Sequence, residues 1–369
     1  MPFDILINGG GIAGPSLAFW LTRHGHAVTI AEQAPQPRTG GQAVDFRGPA
    51  LTVLEEMGLL EQVKAGATQM GPLVLVDGRG KEVGRLPAEV LSGEVEIHWG
   101  DLTRILYEAV RNDVNYRFGV RVTALTDTGQ KVEVTFSDGS TGSYDLVVGA
   151  DGIRSSVRAM LGIPTTPQPT GMSIWRVVAG RPPEMDCAEV YYGGPRYKAG
   201  YSPISANHCY AYLLDVDGAQ RDFGTGPAWR LMYERSAGYG GTWGKIRETI
   251  GPDSNVSHTR IEWLLVDMPW YRGRAIVIGD AAHACPPLIA QGAAMCAEDA
   301  VVLAELLTGG LPVERALAAF MARRMPRVEL VVRNSMQLVR WETGTEPHTD
   351  ADVARTMNST LGFLAAAEA

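Results

Sequence analysis

A strand, a glycine loop and a helix open the chain, and this feature constrains the fold most. Residues 3–7 form a short apolar run typical of a buried parallel strand, followed at once by Gly9-x-Gly11-x-x-Gly14. Gly9 permits a tight turn, Gly11 lets backbone approach a pyrophosphate, and Gly14 lets the next helix pack on the strand. That helix, residues 15–24, would point its first N–H groups at the phosphates. The pattern predicts a dinucleotide-binding unit.

Glu32 narrows the choice of dinucleotide. It ends a second apolar strand, residues 27–31, and lies eighteen residues after Gly14. A carboxylate at this place suits the hydroxyls of an adenosine ribose and would repel a 2′-phosphate. The first motif therefore favours FAD or NAD over NADP.

A second motif selects FAD. An apolar strand at residues 275–278 ends in Gly279-Asp280, and a helix follows over residues 293–307. Asp280 can bind the ribitol chain, and the N-terminus of that helix can donate to the N1/C2=O edge of a flavin. The alternative is that Asp280 only caps a turn.

Three motifs in order carry a resemblance to a known family. Residues 9–14, 145–158 (DLVVGADGIRSSVR) and 279–283, with Pro286-Pro287 and Gln291-Gly292, closely resemble the fingerprints of the class A flavoprotein monooxygenases, the p-hydroxybenzoate-hydroxylase-like family. The resemblance runs from residue 3 to about 340. It implies FAD, with NADPH or NADH as a transient reductant, and a flavin C4a-hydroperoxide that passes oxygen from O2 to an aromatic or polyketide-like small molecule. The cofactor carries this chemistry, so we name no catalytic residue.

The motifs and the resemblance together predict a set of cofactor contacts. They are Gly9, Gly11, Ala13, Gly14, Glu32, Arg47, Arg104, Asp151, Gly152, Gly279, Asp280, Gly292, Ala293 and Ala294. Two of these have plainer alternatives: Asp151 could cap the helix at residues 154–161, and Arg47 could be an exposed loop charge.

The chain departs from the family pattern at three positions. Trp99 stands where many relatives carry an arginine that touches FAD, and Arg104 is our substitute for that contact. Ala294 stands where relatives often have asparagine, and Ala290 where many have glycine. The backbone N–H of Ala294 can still donate to the flavin without an asparagine side chain. Trp99, which replaces an arginine side chain, is therefore the larger departure from the family pattern.

Aromatic residues in the central strands indicate a substrate site. These residues are Trp175, Tyr191, Tyr192, Tyr197, Tyr201, Tyr210 and Tyr212. Residues 40–46 and these strands look more like the tetracycline-inactivating hydroxylases than the small-phenol ones. That looser resemblance implies that Trp175, Arg196 and Tyr210 face the substrate, with Pro287 and Leu288 at the flavin edge. Ordinary sheet packing is the alternative, because strands favour tyrosine and tryptophan.

The expected fold class is α/β: a Rossmann-like FAD-binding domain, an inserted antiparallel-sheet substrate domain and a C-terminal helical segment. The FAD-binding domain takes residues 1–70, 97–164 and 271–345, the substrate domain 71–96 and 165–270, and the last helix 346–369. Single helices are expected at 50–64 and 229–250. A further helix at 313–341 carries Arg323, Arg324, Arg327, Arg333 and Arg340, which we interpret as a solvated face rather than a nucleic-acid patch.

Bulk properties set limits on the function. The net charge of -8 disfavours nucleic-acid or anionic-membrane partners. The four cysteines have no CxxC spacing, and the seven histidines have no HxxxH or HExxH pattern, so we expect reduced thiols and no metal. A strand that begins by residue 3 leaves no room for a signal peptide, and no apolar run reaches membrane-spanning length. We expect a soluble, cytoplasmic monomer or homodimer.

Two other functions share the cofactor motifs. A flavin-dependent reductase or a non-catalytic flavin-binding protein would need the same FAD residues. A flavin halogenase shares the fold, but its Trp-x-Trp-x-Ile-Pro signature is absent from the sequence. Substrate identity, regiochemistry and the choice of NADH or NADPH stay open.

Overall fold

The structure is a computed structural model that describes residues 2–38, 43–67, 72–86, 95–192, 194, 196, 198–216 and 226–366. The expectations placed on Gly40, Gly41, Gln42 and Tyr197 lie outside these described residues. The strands are β1 (Asp4–Asn8), β2 (Ala27–Glu32), β3 (Ala43–Phe46), β4 (Leu73–Asp77), β5 (Glu82–Leu86), β6 (Val95–His98), β7 (Asn115–Phe118), β8 (Val122–Asp127), β9 (Val132–Phe136), β10 (Thr141–Tyr144), β11 (Leu146–Gly149), β12 (Gln168–Gly180), β13 (Ala188–Tyr192), β14 (Lys198–Pro203), β15 (His208–Val216), β16 (Ser257–Trp263), β17 (Tyr271–Arg272) and β18 (Ala275–Val277).

The helices of the described residues surround two main sheets. They are α1 (Ala13–Arg23), α2 (Pro49–Glu56), α3 (Leu60–Ala65), α4 (Trp99–Val110), α5 (Ser156–Met160), α6 (Ala228–Arg235), α7 (Gly241–Glu248), α8 (Asp280–His283), α9 (Gly292–Thr308), α10 (Val313–Glu342) and α11 (Asp350–Ala366). None of these helices combines the length and the apolar character needed to cross a membrane.

The first sheet has six strands in the order β17-β18-β11-β1-β2-β7. All neighbours are parallel except the edge pair β17–β18. Ile5, Leu6 and Ile7 of β1 are fully buried, as a central parallel strand requires. Helix α1 packs against α9. This arrangement confirms the predicted Rossmann-like domain, and it takes strands from both ends of the chain.

The second sheet has seven strands in the order β16-β12-β15-β14-β13-β4-β5. Its neighbours are antiparallel as predicted, except that β13 pairs with β4 in parallel. β4 precedes β13 by about a hundred residues, so a long connection joins this parallel pair. One face of this sheet packs on α6 and α7 around Trp175, Tyr191 and Trp243. The strands β3 and β6 form a small antiparallel pair. Two of their residues, Asp45 and Glu96, line a cavity together with residues of the seven-stranded sheet.

Two helices predicted as continuous are each broken at glycine. The expected helix at 50–64 divides into α2 and α3 at Gly58, which has φ 70°. The expected helix at 229–250 divides into α6 and α7, with Gly238 at φ 100° and Gly241 at φ 58° between or beside them. A residue in the left-handed region ends a helix, and glycine adopts it without steric cost.

Candidate active site

The glycine loop between β1 and α1 is shaped by close backbone approaches. A Cβ on Gly9, which has φ 123°, would lie 2.2 Å from the Ala150 carbonyl oxygen. A Cβ on Gly14 would lie 2.0 Å from the Gly9 carbonyl oxygen. A Cβ on Gly11 would meet no atom within 4 Å. Gly9 and Gly14 therefore serve packing, while Gly11 borders open space at the start of α1.

Glu32 lies where β2 ends and is held by backbone donors. Its Oε2 accepts the Gly10 N–H at 2.7 Å, and its Oε1 accepts the Ala34 N–H at 2.8 Å. The Arg38 guanidinium lies 3.5 Å from Oε1. Since each carboxylate oxygen has a second acceptor site, Glu32 can still accept hydrogen bonds from hydroxyl groups in the groove that it lines.

Asp151 caps a helix. Its carboxylate accepts hydrogen bonds from the Ser156 N–H at 2.7 Å, the Ser155 hydroxyl at 2.5 Å and the Asn8 amide at 3.0 Å. Asp151 thus binds the first N–H groups of α5, while the N-cap residue itself is Ser155, whose hydroxyl accepts the Arg158 N–H. Asp151 and Gly152 both line the groove, so the capped turn brings their backbone to its wall.

Gly279 and Asp280 follow β18 in a tight turn. Gly279 has φ 58°, and a Cβ there would lie 3.0 Å from the Cys296 Sγ and 3.2 Å from the Ala13 Cβ. Asp280 is exposed toward the groove, but protein surrounds its other sides. This burial raises the pKa of the Asp280 carboxyl, and His283 opposes the shift.

A buried ionic cluster supports the Gly279 turn from behind; we call it the Asp299 cluster and define it as His283, Glu298, Asp299, Arg324 and Arg327. Asp299 Oδ2 accepts the Gly279 N–H at 2.8 Å and contacts His283 Nε2 at 2.7 Å. Arg324 Nε donates to Asp299 Oδ1 at 2.7 Å, and its Nη1 donates to Glu298 at 2.7 Å. Burial would raise the pKa of Asp299, but His283 and Arg324 lower it to about 2.

The Asp299 cluster corrects our interpretation of the basic residues in α10. Arg324 is fully buried and Arg327 is 3% exposed, so neither belongs to a solvated face. The sequence did contain a signal. Arg324 falls on the same helical stripe as Leu317, Phe320 and Val328, which are all buried, at spacings of seven, four and four residues.

The N-terminus of α9 also meets the groove. Gly292 and Ala293 line it, whereas Ala294 is fully buried in the core and does not. Gln291, which precedes the helix, is 2% exposed, and its Nε2 has no hydrogen-bond partner among the described residues. Ala290 has φ 57°, a conformation that costs a non-glycine residue about 1–2 kcal/mol.

These elements enclose a groove of about 640 Å³. Besides Glu32, Asp151 and Asp280, its charged lining consists of Arg38, Arg121 and Arg154. Arg104 and Arg47 are not among the lining residues. Arg104 pairs with Asp101 on the exposed side of α4, so it does not take the place of the missing family arginine. Trp99, at the first position of α4, does line the groove.

A second cavity of about 310 Å³ adjoins the groove. Pro287 and Ala290 line both spaces. The rest of its wall comes from β3, β6, the seven-stranded sheet, the loop before α9 and the end of α10: Asp45, Leu73, Glu96, Ile174, Arg176, Ala188, Val190, Tyr192, Lys198, Tyr201, Ser202, Tyr210, Tyr212, Leu214, Ile261, Leu288 and Glu342. The cavity thus contains Tyr210, Pro287 and Leu288 of the expected substrate residues.

Trp175 and Arg196 do not reach this cavity, which corrects their expected placement. Trp175 donates from Nε1 to Asp215 at 3.2 Å and stacks on His258. Arg196 lies 3.5 Å from the same buried Asp215. Side chains alternate along a strand, so Arg176 and Trp175 point to opposite faces of β12. Arg176 therefore occupies the cavity wall where we expected Trp175.

Comparisons with known proteins agree with this geometry. A family model described as an FAD binding domain matches residues 2–198 and 241–335. The putative FAD-dependent monooxygenase YetM of Bacillus subtilis is 32% identical, over 93% of this chain and 95% of its own length. The aurachin C monooxygenase/isomerase of Stigmatella aurantiaca is 30% identical, over 96% of this chain and 94% of its own. The crystal structure of the tetracycline destructase Tet(51) superposes with a TM-score of 0.82 at 24% identity, over 99% of this chain and 98% of its own, and shows the same fold.

Proposed function

The chain belongs to the FAD-binding-domain family and is an FAD-dependent monooxygenase, and we propose that it hydroxylates a planar aromatic or polyketide-like molecule held in the 310 Å³ cavity. NADPH or NADH serves as the transient reductant in this proposal. We draw the substrate class from the tyrosine-rich wall of the cavity and from the family.

The groove has the donors and the space that FAD requires. The open side of Gly11 leaves room for a pyrophosphate beside the N-terminus of α1, and Arg38, Arg121 and Arg154 supply positive charge. The buried Gln291 Nε2, which has no partner among the described residues, can donate to a bound group. We assign the ribose hydroxyls to Glu32 and the ribitol chain to Asp280.

The flavin edge contacts are proposed at the start of α9. The free N–H groups of Gly292 and Ala293 can donate to the N1/C2=O edge. Ala294 lies in the core, so only its backbone N–H remains for such a contact. Gly279 and Gly14 contribute by shaping the turns, and Ala13 by packing beneath Gly279.

The observation that carries the proposal is the shared wall between groove and cavity. Pro287 and Ala290 border both, so a flavin held by the α9 N-terminus would present its edge to whatever occupies the cavity. Bound in the groove and reduced, FAD would activate O2 for the oxygen transfer. The chain itself binds, orients and excludes water: Tyr210 and Tyr212 offer aromatic faces, and Ile174, Leu214, Ile261 and Leu288 offer apolar walls.

A product assay tests this proposal. The purified holoenzyme is given NADH or NADPH with a panel of phenols, aromatic polyketides and tetracyclines, while reductant, O2 and product mass are followed. We expect one product gaining a single oxygen atom for each reductant and each O2 consumed. A flavin reductase would instead consume reductant without any oxygenated product, and a non-catalytic flavin protein would consume neither.

Removal of the Asp280 carboxylate should weaken FAD binding. Asp280→Ala is expected to lose about 0.5–1.5 kcal/mol of FAD binding energy, because one ribitol hydrogen bond disappears. Titration of the apoprotein with FAD, followed by flavin fluorescence, measures the change. Asp267→Ala removes an exposed aspartate outside the groove and is the matched control. Equal FAD affinity in wild type and Asp280→Ala would show that Asp280 does not bind the ribitol chain.

Truncation of Tyr210 should affect the substrate and spare the cofactor. Tyr210→Ala is expected to raise KM about fivefold, since about 1 kcal/mol of aromatic contact is lost, and to release peroxide in place of product. Tyr210→Phe keeps the ring and should keep most of the affinity. FAD content should stay normal in both variants, because Tyr210 does not line the groove. A wild-type KM and full coupling in Tyr210→Ala would contradict the substrate role of the cavity.

We also propose the domain division and the location of the protein. The six-stranded sheet supports an FAD-binding domain of residues 1–70, 97–164 and 271–345, and the seven-stranded sheet supports a substrate domain of 71–96 and 165–270. Four unpaired cysteines support a cytoplasmic protein. A monomer or homodimer remains our proposal for the assembly, which light scattering of the purified protein would measure.

A further inference from the structure

Two carboxylates mark one wall of the substrate cavity. Asp45 on β3 lies directly opposite Glu96 on β6 in the antiparallel register, and both line the cavity. Asp45 is 6% exposed, whereas Glu96 is more open. Glu96 is therefore the carboxylate that a bound molecule reaches more readily.

Two cations also line the cavity, but they differ in what they already bind. Lys198 on β14 pairs with Glu342 at 3.0 Å and lies over the Tyr192 ring. Arg176 on β12 donates from Nη1 to Thr259 at 3.0 Å, while its buried Nε has no hydrogen-bond partner among the described residues. Arg176 thus retains a donor that an acceptor in the cavity could satisfy.

The charges of Arg176 and Glu96 both act on the Tyr210 hydroxyl. Burial raises the pKa of its hydroxyl, Arg176 lowers that pKa, and Glu96 raises it. The phenol therefore stays neutral, in a cavity that also holds an acceptor, Glu96, and a donor, Arg176.

From these two groups we infer that the substrate is a planar ring system with an N–H donor directed to Glu96 and a carbonyl or enolate oxygen directed to Arg176. A simple phenol, with a single hydroxyl, would satisfy only one of the two groups. The inference rests on the proposed function, because it takes this cavity to be the substrate site.

A pair of probes tests the donor edge on the holoenzyme. The probes are 4-quinolone, which has an N–H and an opposite carbonyl, and N-methyl-4-quinolone, which lacks the N–H. Binding is followed by the change in the flavin absorption spectrum, without turnover. We expect 4-quinolone to bind about tenfold more tightly or better, since a hydrogen bond to a charged group is lost in the methylated probe.

Single substitutions test which residue binds the N–H of the probe and which binds its carbonyl oxygen. Glu96→Leu should reduce the preference for 4-quinolone to about twofold or less, which corresponds to about 0.4 kcal/mol. Leucine is similar in size to glutamate, so a purely steric rejection of the methyl group would persist in this variant. Arg176→Met should weaken both probes about equally. Lys198→Met, which removes a cation already paired with Glu342, is the matched control and should weaken them less.

The outcomes separate this inference from the proposed function. Equal binding of the two probes, an unchanged preference in Glu96→Leu, or no binding of either probe would overturn the donor–acceptor assignment. Hydroxylation of phenols from the panel would still support the monooxygenase site in that case. Conversely, a preference that depends on Glu96 without any oxygenated product from any compound would uphold the binding inference and reject the proposed hydroxylation.

Discussion

Replacement of Arg324 by methionine is expected to lower the free energy of unfolding by about 3–5 kcal/mol, because it removes one buried cationic partner from each of two buried carboxylates. Arg324 binds both Asp299 and Glu298 at 2.7 Å, and all three side chains are buried. Asp299 in turn fixes the Gly279 N–H, so FAD affinity should fall as well. Urea unfolding of the apoprotein and FAD titration measure the two effects.

Arg323→Met is the control for this prediction. Arg323 precedes Arg324 on the same helix, but its ion pair with Glu305 is largely exposed to solvent. Its replacement should change the unfolding free energy by about 0.5 kcal/mol or less. If both variants lost the same stability, the Asp299 cluster would not support the fold as argued.

Alanine at Gly11 and at Gly14 should harm FAD binding in two different ways. In Gly14→Ala the new Cβ would lie 2.0 Å from the Gly9 carbonyl oxygen, so α1 must move away from the loop. We expect a loss of about 1–3 kcal/mol in the stability of the apoprotein, with weaker FAD binding as a consequence. Gly11→Ala adds a methyl group to open space, so the apoprotein should keep its stability.

The Gly11 variant isolates the pyrophosphate contact. Its methyl group would occupy the place where backbone approaches the phosphates, and FAD affinity should fall about tenfold or more. Unfolding of the apoprotein and FAD titration, performed on both variants, separate packing from binding. Normal FAD affinity in Gly11→Ala would show that the pyrophosphate does not pass this loop.

Local steric requirements made the cofactor groove predictable from the sequence. Gly9 and Gly14 are needed because backbone atoms approach within a distance that no Cβ allows, and such contacts lie within a few residues or in adjacent strands. Short apolar runs predicted the strand that ends at Glu32 and the strand that leads into the turn at Gly279. The predicted fold class is confirmed, since these motifs lie on one parallel sheet.

The wall of the 310 Å³ cavity could not be predicted because it depends on which face of a strand meets the cavity. Alternation along β12 shows that Trp175 and Arg176 point to opposite faces, but it does not say which face is covered by α6 and α7. The looser family resemblance implied that Trp175 faces the substrate, and the structure places it against Asp215 and His258. Our interpretation of Arg324 as part of a solvated face was wrong for a related reason. Its charge suggested exposure to solvent, although the neighbouring residues on its helical stripe are apolar.

The groove joins residues from distant parts of the chain, and this affects when FAD can be acquired during synthesis. One part of its wall comes from residues 9–13 and a second part from residues between Asp280 and Cys296. At about 5–20 residues per second, a ribosome needs roughly 15–60 s to reach the second part, so the first βαβ unit waits without its ligand. FAD that binds only the finished groove adds about 2.7 kcal/mol of stability at a hundredfold excess over its Kd. Flavin supply should therefore govern how much of the newly made chain escapes degradation.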